Sequence, residues 1–336
     1  MATIKDVAQR AGVSVTTVSH VLNATRFVSE DARERVEAAV RELAYVPSAV
    51  ARSLKHNATR TLGMLIPNNS NPYFAEIIRG VEDCCFQAGY NLILCNSDDQ
   101  PEKQASYVRV LAEKRIDGLV LVSSGVAPSL AAQLQALALP VVLVDREVPG
   151  LDCDLVEVDH TAGGEIATRH LLELGHPQVV CISGPAGLTP SSQRRAGWKR
   201  ALAAAGVARR EGDLVRGDFT SRSGYLAMQG LIARKTRPSA VFVCNDVMAI
   251  GALSAIHEAG LRVPEDISVV GFDDIELAAY TFPPLTTVAQ PKQAIGTGTA
   301  KLLLERIAGE TGAPRRLILQ PELRVRKSTT RYRPST

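Results

Sequence analysis

The chain has 336 residues, 46% of them hydrophobic and 22% charged, with a net charge of +3. That balance excludes a disordered or fibrous chain and leaves room for two or three domains of roughly 100–200 residues. No apolar run approaches the roughly 18 residues of a membrane span, and the immediately charged start "MATIKDVAQR" does not read as a signal peptide.

The charge is unevenly placed. Residues 1–60 carry nine Lys/Arg against six Asp/Glu, whereas the remainder carries 29 of each, so the whole excess lies in the first sixty residues. No acid occurs between Leu43 and Leu62. Such an asymmetry is a modest footprint for a polyanion. The six cysteines include an adjacent pair, Cys84-Cys85, and form no C-x-x-C. They read as buried thiols of a cytoplasmic protein, not as a disulfide framework or zinc site.

In chain order, the first elements are helical. Ile4, Val7, Ala8 and Ala11 follow helical spacing, Gly12 breaks it, Ser14 can cap a second helix, and Val18, Val21 and Leu22 resume the spacing. Two short helices joined by a tight glycine-containing turn make a helix-turn-helix. An ordinary αα-hairpin is the plainer alternative. It is weakened because the second helix offers Thr16, Thr17, Ser19 and His20 to its outer face in place of salt-bridge pairs. A third helix is expected from Ser29 through "EDARERVEAAVRELAY", with acids in its first turn where the helix dipole favours them. The predicted headpiece is residues 1–46.

The segment "PSAVARSLK", residues 47–55, has two basic residues and no acid, and places Val50 and Leu54 one turn apart. It is under two turns long, and isolated helices shorter than about 12 residues are marginal in water. A hinge and linker over 47–60 is the resulting expectation.

From Thr61 the texture changes. Apolar runs such as "TLGMLIP", "NLILCNS", "GLVLVSS" and "VVLVDR" alternate with helical segments. A second set is expected to start at "LVEVDH" and to run through "VVCISG", "AVFVCN" and "SVVGFD". Strands of this kind, buried on both faces, indicate parallel sheets covered by helices. Residues 61–336 exceed one comfortable sheet, so two α/β lobes are expected.

Ligands in such sheets bind at the carboxyl ends of strands. The residues there are Asn71, Tyr73 and Phe74; Asp145 and Arg146; Arg194; Phe219; Asn245 and Asp246; Asp273 and Asp274; and Gln290. Carboxylates, guanidiniums, amides and aromatics suit an uncharged sugar, whose hydroxyls both donate and accept and whose C–H face can cover a ring. Any one of them is more simply a polar strand terminus; the convergence of seven ends favours a site.

Catalytic readings fail. "GTGTAK" at 296–301 lacks P-loop spacing and lies in a helical pattern, and neither G-x-S-x-G nor H-E-x-x-H occurs. Asp273-Asp274 are adjacent and point apart. His160, His170, His176 and His257 show no metal spacing and read as solvated or core histidines. No enzyme activity, cofactor or metal is expected. The basic end "LRVRKSTTRYRPST" reads as a solvated tail.

The motifs "TIKDVAQRAGVSVTTVSHVLN", "YVPSAVARSLK", "TLGMLIPNNSNPYFAEIIRGVE", "CNDVMAIGAL" and "VPEDISVVGFDDIELAAYTFPPLTTVAQP" together resemble the LacI/GalR family of bacterial transcription regulators, over essentially the whole chain. The resemblance implies an all-α helix-turn-helix headpiece, a hinge helix and a two-lobed α/β core like periplasmic sugar-binding proteins. It implies a homodimer (a tetramer in some members) on palindromic operator DNA. The operator-facing positions it implies are Thr3, Ser14, Val15, Thr16, Thr17, His20, Asn23 and Arg26, with Ala51, Leu54 and Lys55 in the hinge. Leu54 would wedge into the minor groove and kink the duplex. The pocket it implies is Asn71, Tyr73 (phenylalanine in ribose-binding relatives), Phe74, Asp145, Arg146, Arg194, Phe219, Asn245, Asp273 and Gln290. Ribose is the expected effector, releasing DNA. A purine or another pentose or furanose, acting even as a corepressor, is the alternative. Purine-responsive members carry an arginine where this chain has Leu188 and a tryptophan where it has Arg146, and both departures count against that alternative.

Overall fold

A computed structural model describes residues 2–46, 58–122 and 130–334. The chain divides into two compact units, Met1–Thr59 and Arg60–Thr336. The hinge positions Ala51, Leu54 and Lys55 lie outside the described residues.

In the first unit, α1 (Ile4–Ala11), α2 (Val15–Asn23) and α3 (Glu30–Glu42) begin close to where the sequence offers caps. Thr3 and Asp6 form a reciprocal capping box on α1. Gly12, at φ 65°, ends that helix in a left-handed cap, and its N–H reaches the carbonyls of Ala8 and Gln9. Val7, Ala8, Ala11, Val18, Val36 and Ala39 make the buried core. Arg10 Nη2 donates to Glu42 Oε1 at 2.8 Å and so ties α1 to the end of α3.

The second unit holds two six-stranded sheets. The strands of the first are β1 (Thr61–Ile66), β2 (Asn91–Asn96), β3 (Gly118–Val122), β4 (Val141–Val144), β5 (Asp154–Val158) and β11 (Arg316–Leu319). They are all parallel, in the order β11-β5-β4-β3-β1-β2. The strands of the other are β6 (Val180–Ser183), β7 (Leu214–Arg216), β8 (Ala240–Val243), β9 (Ser268–Asp273), β10 (Thr286–Ala289) and β12 (Glu322–Arg324). Their order is β12-β10-β9-β8-β6-β7, parallel except for β12, which is antiparallel to β10. Every residue of β3, β4, β5, β6, β8 and β9 is buried, which is why β3, β4 and β8 read as unbroken apolar runs, while β5 also buries Asp154 and Glu157.

Two expectations fail here. "LVEVDH" does not open the second set: β5 pairs with β4 in the first sheet, Leu143 opposite Leu155. An apolar run carries no mark of which sheet will accept it, and this one is followed by the crossover. Nor is the basic end a solvated tail. β12 pairs with β10, Ser328 is fully buried, and Arg326 Nη2 donates to Asp274 Oδ1 at 2.6 Å. The long basic side chains leave the edge while the backbone and small residues go in.

The chain therefore crosses between lobes three times: after β5, after β10 and after β11. The helix Lys292–Ile307 returns to the first lobe and packs on the helix Pro72–Gln87 and on β3, β4 and β5. Asp154 anchors the return. Its buried carboxylate accepts from Arg306 Nη2 at 2.8 Å and from Arg315 Nη2 at 2.9 Å. Burial pushes that carboxyl up, but the two guanidiniums and the Arg315 N–H outweigh it and hold it down at about 2.

Candidate functional site

A cavity in the second unit is lined from the first lobe by Asn71, Tyr73, Phe74, Asp145 and Arg146. The second lobe contributes Arg194, Phe219, Asn245 and Asp273. Gln290 joins through its hydrogen bonds to Tyr73 and Asp273. Of the twelve strand-end residues, nine thus line the cavity and Gln290 is bonded to two of them; Asp246 and Asp274 stay apart.

The local backbone is bent to present them. Asp145, Phe219 and Asp273 follow or end strands at φ 60°, 70° and 117°, a region that side-chain-bearing residues seldom occupy. Backbone strain of this kind gathers at ligand sites. Phe219 reaches the cavity only because position 184 is glycine, where a Cβ would fall 2.2 Å from its ring. Arg194 sits on the helix Thr189–Ala204, which crosses the helix His160–Glu173 so closely that a Cβ on Gly164 would meet the Arg194 carbonyl at 2.1 Å. Two of the amides are committed to capping. Asn71 Oδ1 accepts from Tyr73 N, and Asn245 Oδ1 accepts from Met248 N.

The remaining polar groups close into a ring. Tyr73 Oη lies 2.9 Å from Asp145 Oδ2. Asp145 Oδ1 lies 3.3 Å from His160 Nε2, and Arg194 Nε donates to His160 Nδ1 at 3.3 Å. Arg194 Nη1 lies 3.3 Å from Asp273 Oδ1 and donates to the Cys244 carbonyl at 2.6 Å. Gln290 Nε2 donates to Asp273 Oδ1 at 2.7 Å, and its Oε1 is 3.1 Å from Tyr73 Oη. Because Arg194 fills the Nδ1 lone pair, His160 is neutral with its proton on Nε2, where it donates to Asp145. Burial likewise lowers the His160 pKa.

The two carboxylates differ. Burial raises Asp145, but His160, Tyr73 and Arg194 outweigh it and hold the carboxyl below its ordinary value. Burial of Asp273 is only partly offset by Arg194, Gln290 and Lys292, and its pKa rises to about 6. Arg146, half-buried beside Asp99, has a buried Nη1 with no partner among the described residues. Arg194 also lies over the Phe272 ring at 3.9 Å.

The strand-end reading misses His160, which the geometry makes a member of the ring. It reads as a core histidine, yet it stands two residues beyond β5, where the same strand-end rule would have found it. Asp246 is not a ring member. It is fully buried beneath the site, where its carboxylate accepts from Thr287 Oγ1 at 2.6 Å and from Ile275 N at 2.9 Å. Asp274, adjacent to Asp273, turns away to Arg326.

In the first unit, Val15 and Thr16 are exposed at the start of α2. Ser14 accepts from Thr17 N at 3.0 Å, and its hydroxyl meets that of Thr17 at 2.9 Å. Thr17 and His20 are half-buried, and His20 Nδ1 pairs with Thr25 Oγ1 at 2.8 Å. Asn23 folds back onto the Ser19 carbonyl, Thr3 is held in its capping box, and Arg26 is exposed. The residues free to reach a groove from α2 are therefore Val15 and Thr16, with the outer edge of His20. No group of His, Cys, Asp or Glu suited to a metal occurs among the described residues. No described helix is long and apolar enough to cross a membrane.

A three-helix headpiece with a helix-turn-helix, followed by a two-lobed α/β core with a polar cleft, defines a ligand-responsive DNA-binding regulator. Residues 3–48 match the model of bacterial regulatory proteins of the lacI family, and residues 168–329 match a periplasmic binding protein-like domain. The chain is 46% identical over 329 residues to the HTH-type transcriptional repressor PurR of Photobacterium profundum, covering 98% of each. It is 44% identical to the ribose operon repressor of Escherichia coli K12, covering 98% of this chain and 100% of that one. Among solved structures, the lac repressor dimer bound to operator and the anti-inducer ONPF matches with a TM-score of 0.86 at 30% identity, over 98% of this chain and 99% of that one. A LacI family regulator from Enterococcus faecium with bound ribose matches with 0.74 at 29% identity, over 81% and 100%. The chain belongs to the lacI family of bacterial regulatory proteins; it is a DNA-binding repressor governed by a small-molecule effector, and not an enzyme.

Proposed function

We propose that this chain is an operator-binding homodimer whose repression is relieved by a pentose, with D-ribose the effector. The observation that carries the reading is the convergence of Asp145, Arg146, Arg194 and Asp273 with Phe74 and Phe219 on one cavity, from both lobes. Asp273 accepts hydrogen bonds from the sugar's hydroxyls, while Phe74 and Phe219 offer ring faces from opposite lobes. The ribose operon repressor and the ribose-bound Enterococcus faecium regulator support the same choice. Cytoplasmic location accords with a protein that must meet DNA.

The second reading is a purine corepressor, favoured by the 46% identity to PurR proteins. Against it, Leu188, at the N-cap of the helix Thr189–Ala204, offers no hydrogen bond to a base, and Arg146 lines the cavity where a flat stacking surface would serve a purine better.

A sugar held by both lobes favours a closed cleft, and ligand shifts an equilibrium only by its differential affinity for the two states. In this reading the closed, sugar-bound core has the lower affinity for operator. A pentose series, guanine and hypoxanthine titrated calorimetrically, together with a promoter gel shift with and without ribose, tests the proposal. Ribose binding with release of DNA supports it. A purine that tightens DNA binding replaces it with the second reading.

A further inference from the structure

Tyr73 sets up a donor shortage in the ring. Asp273, when ionised, can only accept, so Gln290 must turn its amide N–H toward it, at 2.7 Å. That leaves Gln290 Oε1 facing Tyr73 Oη at 3.1 Å, while Asp145 Oδ2 faces the same oxygen at 2.9 Å. One phenolic proton therefore serves two acceptors, and they come from different parts of the fold: Asp145 from the end of β4, Gln290 from the crossover after β10. Tyr73 is 4% exposed, and its helix is capped by Asn71 two residues earlier, so the oxygen is fixed in place.

We propose that Tyr73 Oη stands where an effector hydroxyl would otherwise bridge Asp145 and Gln290, so that this pocket selects a sugar for one hydroxyl fewer than its polar groups could engage. The inference rests on the sugar reading of the cavity. Asp145 already has both oxygens engaged, Oδ1 by His160 and Oδ2 by Tyr73. Asp273, by contrast, is engaged through Oδ1 alone. A sugar thus finds its strongest free acceptor on the second lobe and Arg146 on the first. At the Tyr73 end it finds a position already filled by a hydroxyl of the protein.

The test is calorimetric titration of the wild-type protein and Tyr73→Phe with D-ribose and its four mono-deoxy analogues, at carbons 1, 2, 3 and 5. In the wild type, one analogue is expected to bind within about threefold of ribose, and the other three to lose about tenfold or more, the worth of a net hydrogen bond. In Tyr73→Phe, Asp145 Oδ2 and Gln290 Oε1 are released to the ligand, and ribose gains about tenfold over the analogue that the wild type tolerates. A wild type that discriminates against all four analogues overturns the proposal without recourse to the variant. So does a Tyr73→Phe protein with the wild-type ratios. A wild type that binds none of the five sugars overturns the sugar reading itself.

Discussion

The headpiece and the core handle polar groups in opposite ways. On the headpiece, Val15 and Thr16, the positions proposed to read DNA, stand in water on a helix capped at both ends. In the core, Asp145, His160, Arg194, Asp273 and Gln290 are all buried and each depends on the next. An exposed recognition face can be rewritten one residue at a time with little effect on folding. A buried ring cannot, because removing one member leaves its neighbours unsatisfied. Specificity for DNA and specificity for effector are therefore expected to differ sharply in mutational tolerance.

The sharpest way to break the comparison is Arg194→Met. It takes the cation from buried Asp273, pushing that carboxyl's pKa further up, and leaves the Cys244 carbonyl and His160 Nδ1 unpaired. Loss of one partner from a buried pair costs about 3–5 kcal/mol, to be read from urea unfolding of the core, with effector response abolished. A loss below about 1 kcal/mol would show that the ring is not interdependent. At the headpiece, exchanging Val15 and Thr16 is expected to change operator choice by about 1–3 kcal/mol per base contact. Stability should stay within about 0.5 kcal/mol. Binding titrations on an operator library, with a melting curve beside them, measure both.

The third prediction concerns pH. Asp273 titrates at about 6 in the folded chain, above its ordinary 3.8. Its ionised form is the one that accepts sugar hydroxyls, so effector affinity should be level above about pH 7 and fall about tenfold per unit below about 6. Stability follows the other sign. A raised carboxyl pKa means that the folded state holds the proton more tightly, so this group's contribution to the unliganded core grows as pH falls from about 6 toward 4. Titrations at pH 5, 6 and 7.5, repeated on Asp273→Asn, should show the slope and then lose it. The smallest effect expected is Ser14→Ala, about 1 kcal/mol of headpiece stability from the lost cap on Thr17 N. Core unfolding should be unmoved.

The pocket was readable in the sequence wherever it follows a strand in the doubly wound pattern, because the carboxyl end of a parallel strand is where side chains converge. Asp145, Asn245 and Asp273 announce themselves in that way. What could not be read was connectivity. Nothing in "LVEVDH" says that β5 joins β4, because a buried apolar run fits either sheet and its partner is only twelve residues back; nothing in "RLILQPELRV" says that its two halves belong to different sheets, because their partners lie more than a hundred residues away or on the far side of a crossover. His160 is obscured for the same reason: its role depends on Arg194, which a close helix crossing brings to it. In the headpiece, spacing alone located the helices but not which α2 side chains are spent on the fold itself, as Thr17 and Asn23 are.

The late arrival of β11 has a consequence for how the chain is made. Roughly 150 residues separate the end of β5 from β11, which at about 5–20 residues per second is on the order of 10–30 s of synthesis. During that interval the β5 edge of a nascent first lobe has no neighbour, and Asp154 lacks both of the arginines that neutralise it. An unpaired, apolar strand edge is a template for pairing with other chains. The first lobe begins first but is closed only after five of the six strands of the second have been made, so its exposed edge, more than any feature of the completed fold, is where chaperone binding to the nascent chain should concentrate.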